Sequence, residues 1–296
     1  MHILITGGTG LIGTATCAAL YAAGHKLTVL TRRARPAVPE ATYVTVLREC
    51  AEPIDAVINL AGAGLADRRW SGAYKRQIVS SRVELTRELV ARLGELEQAP
   101  KRLISASAIG YYGAAEQQTF AEGADPGTGF AAALCQSWEE EAGRASAYGI
   151  QVSLLRFGVV LAREGGALGK MTQSFRFGVE SWLGSGEQWL SWIHLADAVK
   201  VIQHVLDCDN PASVYNTVAP EPARHRELAH EVGRQSKIWL KLGVPALAAE
   251  VMAGEMATEL LLSGQRVLPA QLLEDGFQFQ YPNLKQALAD LMPRQG

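Results

Sequence analysis

Short runs of aliphatic and β-branched residues recur through the first half of the chain, at residues 3–6, 27–31, 43–47, 56–60, 103–106 and 152–157. They alternate with helix-like stretches at about 11–23, 70–96 and 130–148, which is the β-α-β rhythm of a parallel sheet. Right-handed crossovers then predict an α/β fold of the Rossmann type, a doubly wound parallel sheet. Gly24 stands where the first helix should close on a residue in left-handed conformation.

Past residue 160 the texture changes to glycine-rich loops, Gly165-Gly166 and Gly184-Ser185-Gly186, interleaved with Trp182, Trp189 and Trp192. These segments read as a smaller C-terminal substrate lobe. A helix-like stretch at 195–206 and a strand-like one at 214–217 are expected to return to the main sheet. The expected division is therefore a nucleotide-binding domain over 1–160, with returning segments at about 189–220, and a lobe made mainly of 161–296. Residues 238–262 are apolar, but Lys241, Pro245, Glu250, Glu255 and Glu259 interrupt them. A soluble helix starting at Pro245, with Ala246, Leu247, Val251, Leu260 and Leu261 on one face, accounts for the pattern better than a membrane span.

Composition narrows the function classes. The chain has 296 residues, 48% of them apolar, enough for a sizeable core. Its 28 Lys and Arg against 30 Asp and Glu leave a net charge of -2, which argues against nucleic acid and against an anionic membrane surface as partners. Cys17, Cys50, Cys135 and Cys208 are far apart and form no CxxC, so neither a metal site nor a disulfide scaffold is expected. A reducing, cytoplasmic compartment follows, and the apolar run begins at Ile3 with no basic stretch before it, unlike a signal peptide.

The strongest chemical signal is Thr6-Gly7-Gly8-Thr9-Gly10-Leu11-Ile12-Gly13, placed after the first strand and opening the first helix. Gly7 permits a tight turn, Gly10 lets backbone N–H groups approach a pyrophosphate at the helix N-terminus, and Gly13 lets helix and strand pack closely. The second strand ends Leu30-Thr31-Arg32-Arg33, with no carboxylate until Glu40. Arg32 can clamp a 2′-phosphate, so Thr31 and Arg32 point to NADP(H) rather than NAD. The run Asn59-Leu60-Ala61-Gly62 ends the fourth strand with small residues against which an adenosine can lie. Arg82, on the next helix, either meets a cofactor phosphate or faces solvent.

These residues resemble the extended short-chain dehydrogenase/reductase superfamily, and within it the epimerase-family, sugar-nucleotide epimerase-like branch. The strings GGTGLIG (7–13), NLAG (59–62), RRW (68–70), SASAIGYYG (105–113), LRFGVVL (155–161), GGALGKM (165–171), WIHLADAV (192–199) and GFQFQYP (276–282) carry the resemblance. It implies bound NADP(H), a substrate lobe with a C-terminal domain of unknown function, and a small-molecule substrate. Superfamily members use a Ser after the fifth strand and a Tyr-x-x-x-Lys pair on the next helix, the Lys lowering the phenol pKa. Ser107 matches the Ser, but the helix position reads Phe130-Ala131-Ala132-Ala133-Leu134, so the proton donor and its cation are missing together.

Tyr111 or Tyr112 is then the replacement acid, unless both are packing residues. Val159 is placed to touch a nicotinamide through its backbone. Lys170, Trp192 and His194 are candidate substrate contacts, and His194 is either a general base or a helix-start residue. Cys135 is either a nucleophile or a small buried apolar group. The helix over 70–96 is a candidate surface for a homodimer. Two readings stand: an NADP-dependent oxidoreductase or epimerase, and a non-catalytic NADP(H) sensor.

Overall fold

In the computed structural model, described over residues 1–50 and 52–292, the strands are β1 (His2–Thr6), β2 (Lys26–Leu30), β3 (Thr42–Val44), β4 (Ala56–Asn59), β5 (Arg102–Ala108), β6 (Gln151–Phe157) and β7 (Val214–Thr217). They form one seven-stranded sheet in the order β3-β2-β1-β4-β5-β6-β7, every pairing parallel. Every residue of β1 and β4 is buried, which explains why these strands read as unbroken apolar runs and not as alternating ones. The order reverses between β1 and β4, and a ligand crevice opens at the carboxyl ends beside such a reversal. Register aligns those ends: Thr6 lies beside Asn59, Asn59 beside Ser105, and Ser107 beside Arg156.

Helices α1 (Leu11–Ala22), α2 (Gly72–Val79), α3 (Leu85–Gly94), α4 (Phe130–Gly143) and α5 (Leu195–Asp207) cover the sheet. Gly24 has φ +81 and closes α1, as its position predicted. The helix expected over 70–96 runs as one continuous helix from Gly72 to Gly94, of which α2 and α3 are the two halves. Ser71 caps α2 by accepting from the Tyr74 N–H, and a π turn at Ser80–Glu84 separates α2 from α3 and buries Arg82. The strand expected to reach 47 stops at Val44, because the Glu49 carboxylate takes the Thr45 N–H at 2.8 Å and folds Leu47–Glu49 into a 3-10 turn.

Beyond β6, Val159–Leu161 pairs in parallel with Trp192–His194, and β7 returns as the edge of the main sheet. A second apolar cluster gathers Leu161, Leu168, Phe175, Trp192, Leu228 and Leu288, while Met256, Leu272 and Phe277 pack into the main core. The helix starting after Pro245 is short. Gly254, at φ +61, ends Ala246–Ala253, so Leu247 and Val251 stay 70% and 68% exposed and only Leu260 and Leu261, beyond the break, pack on the main core. Among the described residues no helix is long and apolar enough to cross a membrane.

Candidate active site

The glycines of the first loop divide their tasks. Gly7 leaves β1 with φ +68 so close to the next strand that an added Cβ would sit 2.5 Å from the Leu60 carbonyl. A Cβ on Gly13 would sit 2.2 Å from the Gly7 oxygen. Both are required by packing within the protein. Gly10 differs: it is exposed, its N–H closes the turn on Gly7 O at 2.9 Å, and an added Cβ would meet only that oxygen, at 3.3 Å. The space above it is open, and α1 begins there with no side-chain cap and no acidic residue in its first turn. Such a helix start is suited to an anion.

Around it Thr9 is exposed and Leu11 and Ile12 are half-buried; Leu60 and Ala61 past the end of β4 and Val159 beyond β6 are half-buried too, and Gly62 is exposed. Thr31 is half-buried and Arg32 exposed past the end of β2. Beneath this rim, Thr6 Oγ1 donates to Asn59 Oδ1 at 2.6 Å, and Asn59 Nδ2 donates to Thr86 and Ser105 at 2.9 and 3.0 Å. Trp138 completes the network by donating to Thr86 at 3.0 Å. A fully satisfied buried network of this kind fixes strand ends and helices relative to one another. Arg82 is 8% exposed, donates to the Ala63 carbonyl at 2.8 Å, and lies so close to Gly62 that a Cβ there would meet its guanidinium at 2.8 Å. Burial pushes its pKa down, and among the described residues no carboxylate pairs with it. It is thus a buried cation in the cleft wall.

At the other end of the crevice polar side chains come together. Ser107 Oγ donates to Glu139 Oε1 at 2.6 Å, and Arg156 grips Glu139 through Nε and Nη2, both at 2.8 Å. Arg156 Nη1 also donates to the Tyr112 hydroxyl at 2.9 Å, and that hydroxyl donates to Asn216 Oδ1 at 2.7 Å. The ion pair is buried, and hydrogen bonding to Glu139 drives the Arg156 pKa up in spite of desolvation. Tyr112 is 2% exposed with its hydroxyl engaged on both sides, and burial raises its pKa. Tyr111 is half-buried, with the Arg156 guanidinium 3.4 Å from its ring centroid. Of the two phenols, Tyr111 is the one with solvent access.

The first turn of α4, where the Tyr and Lys would stand, is apolar. Phe130 packs edge-on against Trp70 at 5.0 Å with Lys75 4.5 Å over its face, and Leu134 is buried. The Phe130 and Ala131 N–H groups donate to the two oxygens of Glu259, at 2.9 and 2.8 Å, so the C-terminal segment supplies the cap of α4. Cys135 is buried and its thiol is pushed up to about 11, which makes it an inert filler and not a nucleophile.

The chain belongs to the NAD dependent epimerase/dehydratase family. That family's model matches residues 3–217, and a model described as a domain of unknown function, DUF1731, matches residues 244–291. The chain is 38% identical over 299 residues to the epimerase family protein Mb2239 of Mycobacterium bovis, covering 99% of this chain and 98% of the relative. It is 32% identical to the human epimerase family protein SDR39U1, covering 99% and 100%. The crystal structure of human SDR39U1 (isoform 2) with NADPH superposes with a TM-score of 0.87 at 30% identity over 99% of both chains.

The remaining candidates are engaged by contacts within the protein. Trp192 is fully buried in the second core with its indole N–H on the Glu221 carbonyl at 3.1 Å, which leaves no surface for a substrate. His194 is the cap of α5: its Nδ1 accepts from the Ala196 N–H at 3.0 Å and its ring stacks on Tyr281 at 3.9 Å. Its Nε2 lies 3.3 Å from Asp290 without hydrogen-bond geometry. Lys170 is exposed and donates to Asp67 Oδ1 at 2.9 Å and to the Ala66 carbonyl at 3.0 Å, tying the Gly165 loop to the loop after β4. Sequence reasoning missed Glu139 and Arg156. An Arg set within the apolar strand Leu154-Leu155-Arg156-Phe157 was the signal, because a cation there needs a buried partner.

Proposed function

We propose that the protein binds NADP(H) and acts as an oxidoreductase or epimerase-like enzyme on a small polar molecule, without a Tyr-x-x-x-Lys pair. The observation that carries this reading is the cradle at Gly10, where the protein leaves open the space a side chain would fill, at a helix start free of negative charge. Gly7, Gly10, Leu11, Ile12 and Gly13 would hold the pyrophosphate, Leu60, Ala61 and Gly62 the adenosine side, and Thr31 and Arg32 the 2′-phosphate. Thr9, Val159 and Arg82 line the rest of the groove. Bound there, the nicotinamide supplies or takes a hydride; Ser107 and Tyr111 then hold the reacting oxygen and exchange its proton. The human relative crystallised with NADPH supports the same cofactor.

Calorimetric titration with NADPH and NADH tests this. NADPH should bind the tighter, and the difference should collapse in Arg32→Ala. Failure to bind either dinucleotide ends the reading. A sensor without chemistry is the second reading, favoured by the apolar Phe130 and Leu134. It requires that NADP+ and NADPH give different proteolysis patterns or different assembly states, including the homodimer expected through the helices between 70 and 96, as read by sedimentation.

A further inference from the structure

A serine hydroxyl has one proton to give and two lone pairs to offer. Ser107 has already given its proton to Glu139, at 2.6 Å. Both oxygens of Glu139 accept from Arg156, and a carboxylate paired with a guanidinium accepts only. The groups that face this cluster are Arg156 from β6, Cys135 from α4, Tyr111 and Tyr112 from the turn after β5, and the Glu122 carbonyl, which takes a bond from Arg156. Cys135 stays a thiol and is at most a weak donor to one Ser107 lone pair. Among the described residues nothing turns the Ser107 proton outward, and one lone pair is left for a ligand.

We propose that Ser107 accepts a hydrogen bond from a substrate hydroxyl and that Glu139, locked by Arg156, is the positioning residue that enforces this polarity, so the substrate is an alcohol handled in the oxidising direction. The proposal rests on the NADP(H) reading above. The step balances with NADP+ as oxidant. The carbinol C–H bond breaks with its electron pair passing to the nicotinamide C4, and the carbon–oxygen bond becomes a carbonyl. The hydroxyl proton moves to Ser107 Oγ while Ser107 passes its own to Glu139 Oε1. Glu139, with its side chain 10% exposed, returns the proton to solvent. Run backwards, the same relay must first place a proton on Glu139, which gives up its ion pair with Arg156, and Phe130 and Leu134 stand where the usual acid and its cation would be.

Ser107 is only 3% exposed, so the probe must be small. Fluorine NMR titration of the NADP+ complex with trifluoroethanol, a strong hydroxyl donor, is compared with N,N-dimethyltrifluoroacetamide, which has a carbonyl acceptor and no donor. The wild type should prefer trifluoroethanol by about tenfold, the worth of one hydrogen bond of the right polarity. Ser107→Ala should lose this preference with NADP+ affinity unchanged. The double variant Glu139→Leu, Arg156→Met removes the acceptor without stranding a buried charge and frees the Ser107 proton to turn outward; the preference for trifluoroethanol should disappear while NADP+ still binds. A wild type that prefers the amide, shows no preference or binds neither probe overturns the proposal, as does an unchanged preference in the double variant. The same sample reports NADP+ affinity by calorimetry, so a protein that binds no NADP+ is recognised as a failure of the cofactor reading, and the proposal falls with it.

Discussion

The two ends of the crevice are built by opposite means. At the β1 and β4 end the surface is backbone and small residues: Gly7, Gly10, Gly13, Ala61 and Gly62, with the nearest cation, Arg82, held back behind Gly62. At the β5, α4 and β6 end it is side chains, an ion pair buried to 4% and 10% exposure with a serine and a tyrosine hung on it. A backbone cradle depends on what is absent, and it fails when atoms are added. A charged cluster depends on mutual compensation, and it fails when one member is removed. The two ends should therefore answer to different substitutions.

The largest effect is expected at the charged end. Glu139→Leu leaves the Arg156 cation buried without its partner, which costs about 3–5 kcal/mol of stability. Arg156→Met should cost a similar amount, and the double variant Glu139→Leu, Arg156→Met should lose much less than the sum. Urea unfolding of the four proteins measures this; an additive double variant would mean that the pair contributes nothing as a pair.

Next comes the cradle, where two neighbouring glycines should separate. Gly7→Ala forces a side chain into a left-handed backbone and against the Leu60 carbonyl, so stability falls by at least about 1–3 kcal/mol. Gly10→Ala brings a methyl 3.3 Å from the Gly7 oxygen and otherwise into open space, so the Tm falls less than in Gly7→Ala while dinucleotide affinity drops by about tenfold or more. Equal loss of Tm in both variants would show that Gly10 serves folding and not a ligand.

The same contrast explains what the sequence made legible. The cradle is local: Gly7, Gly10 and Gly13, within seven residues after a strand and opening a helix, carry their own geometry, and φ +68 at Gly7 fulfils it. The parallel sheet was equally legible because buried central strands leave unbroken apolar runs. The charged end is not local. Ser107, Glu139 and Arg156 come from three elements, and only the register that sets Ser107 beside Arg156, with the phase of α4, brings them together. Trp192 misled for a related reason: tryptophans among glycines suggest a binding loop, but pairing with Val159 turns this one into the core. The π turn at Ser80–Glu84 has no signature in the residue pattern, and with it went the burial of Arg82.

Arg32 gives a smaller effect, confined to binding. Being exposed beyond the end of β2, it contributes little to the fold, and Arg32→Ala should leave the Tm unchanged. Loss of one charge-assisted hydrogen bond, about 1.5–3 kcal/mol, should weaken NADPH by roughly tenfold to a hundredfold and leave NADH alone. An equal loss for both cofactors would place Arg32 on a phosphate they share.

The smallest effect lies outside both ends, and it separates the fold from the site. His194 caps α5 through an unprotonated Nδ1, and burial pushes its pKa down, opposed by Asp290 and Asp197; the stacked Tyr281 phenol is itself pushed up by burial. In the unfolded chain the imidazole takes up its proton near its ordinary value of about 6.5. Between that value and the lower folded one the unfolded state binds more protons, so stability is full above 6.5 and is lost as the pH falls toward the folded pKa. Protonation of Nδ1 would also place a donor against the Ala196 N–H and cancel the cap. His194→Asn keeps an acceptor for that N–H and does not titrate, so the slope of Tm against pH below 6.5 should become shallower. It should not vanish, because burial also lowers the pKa of His225, which acts in the same direction. NADPH affinity over the same pH range should be identical in wild type and variant. A change in affinity there would return His194 to the substrate side of the crevice.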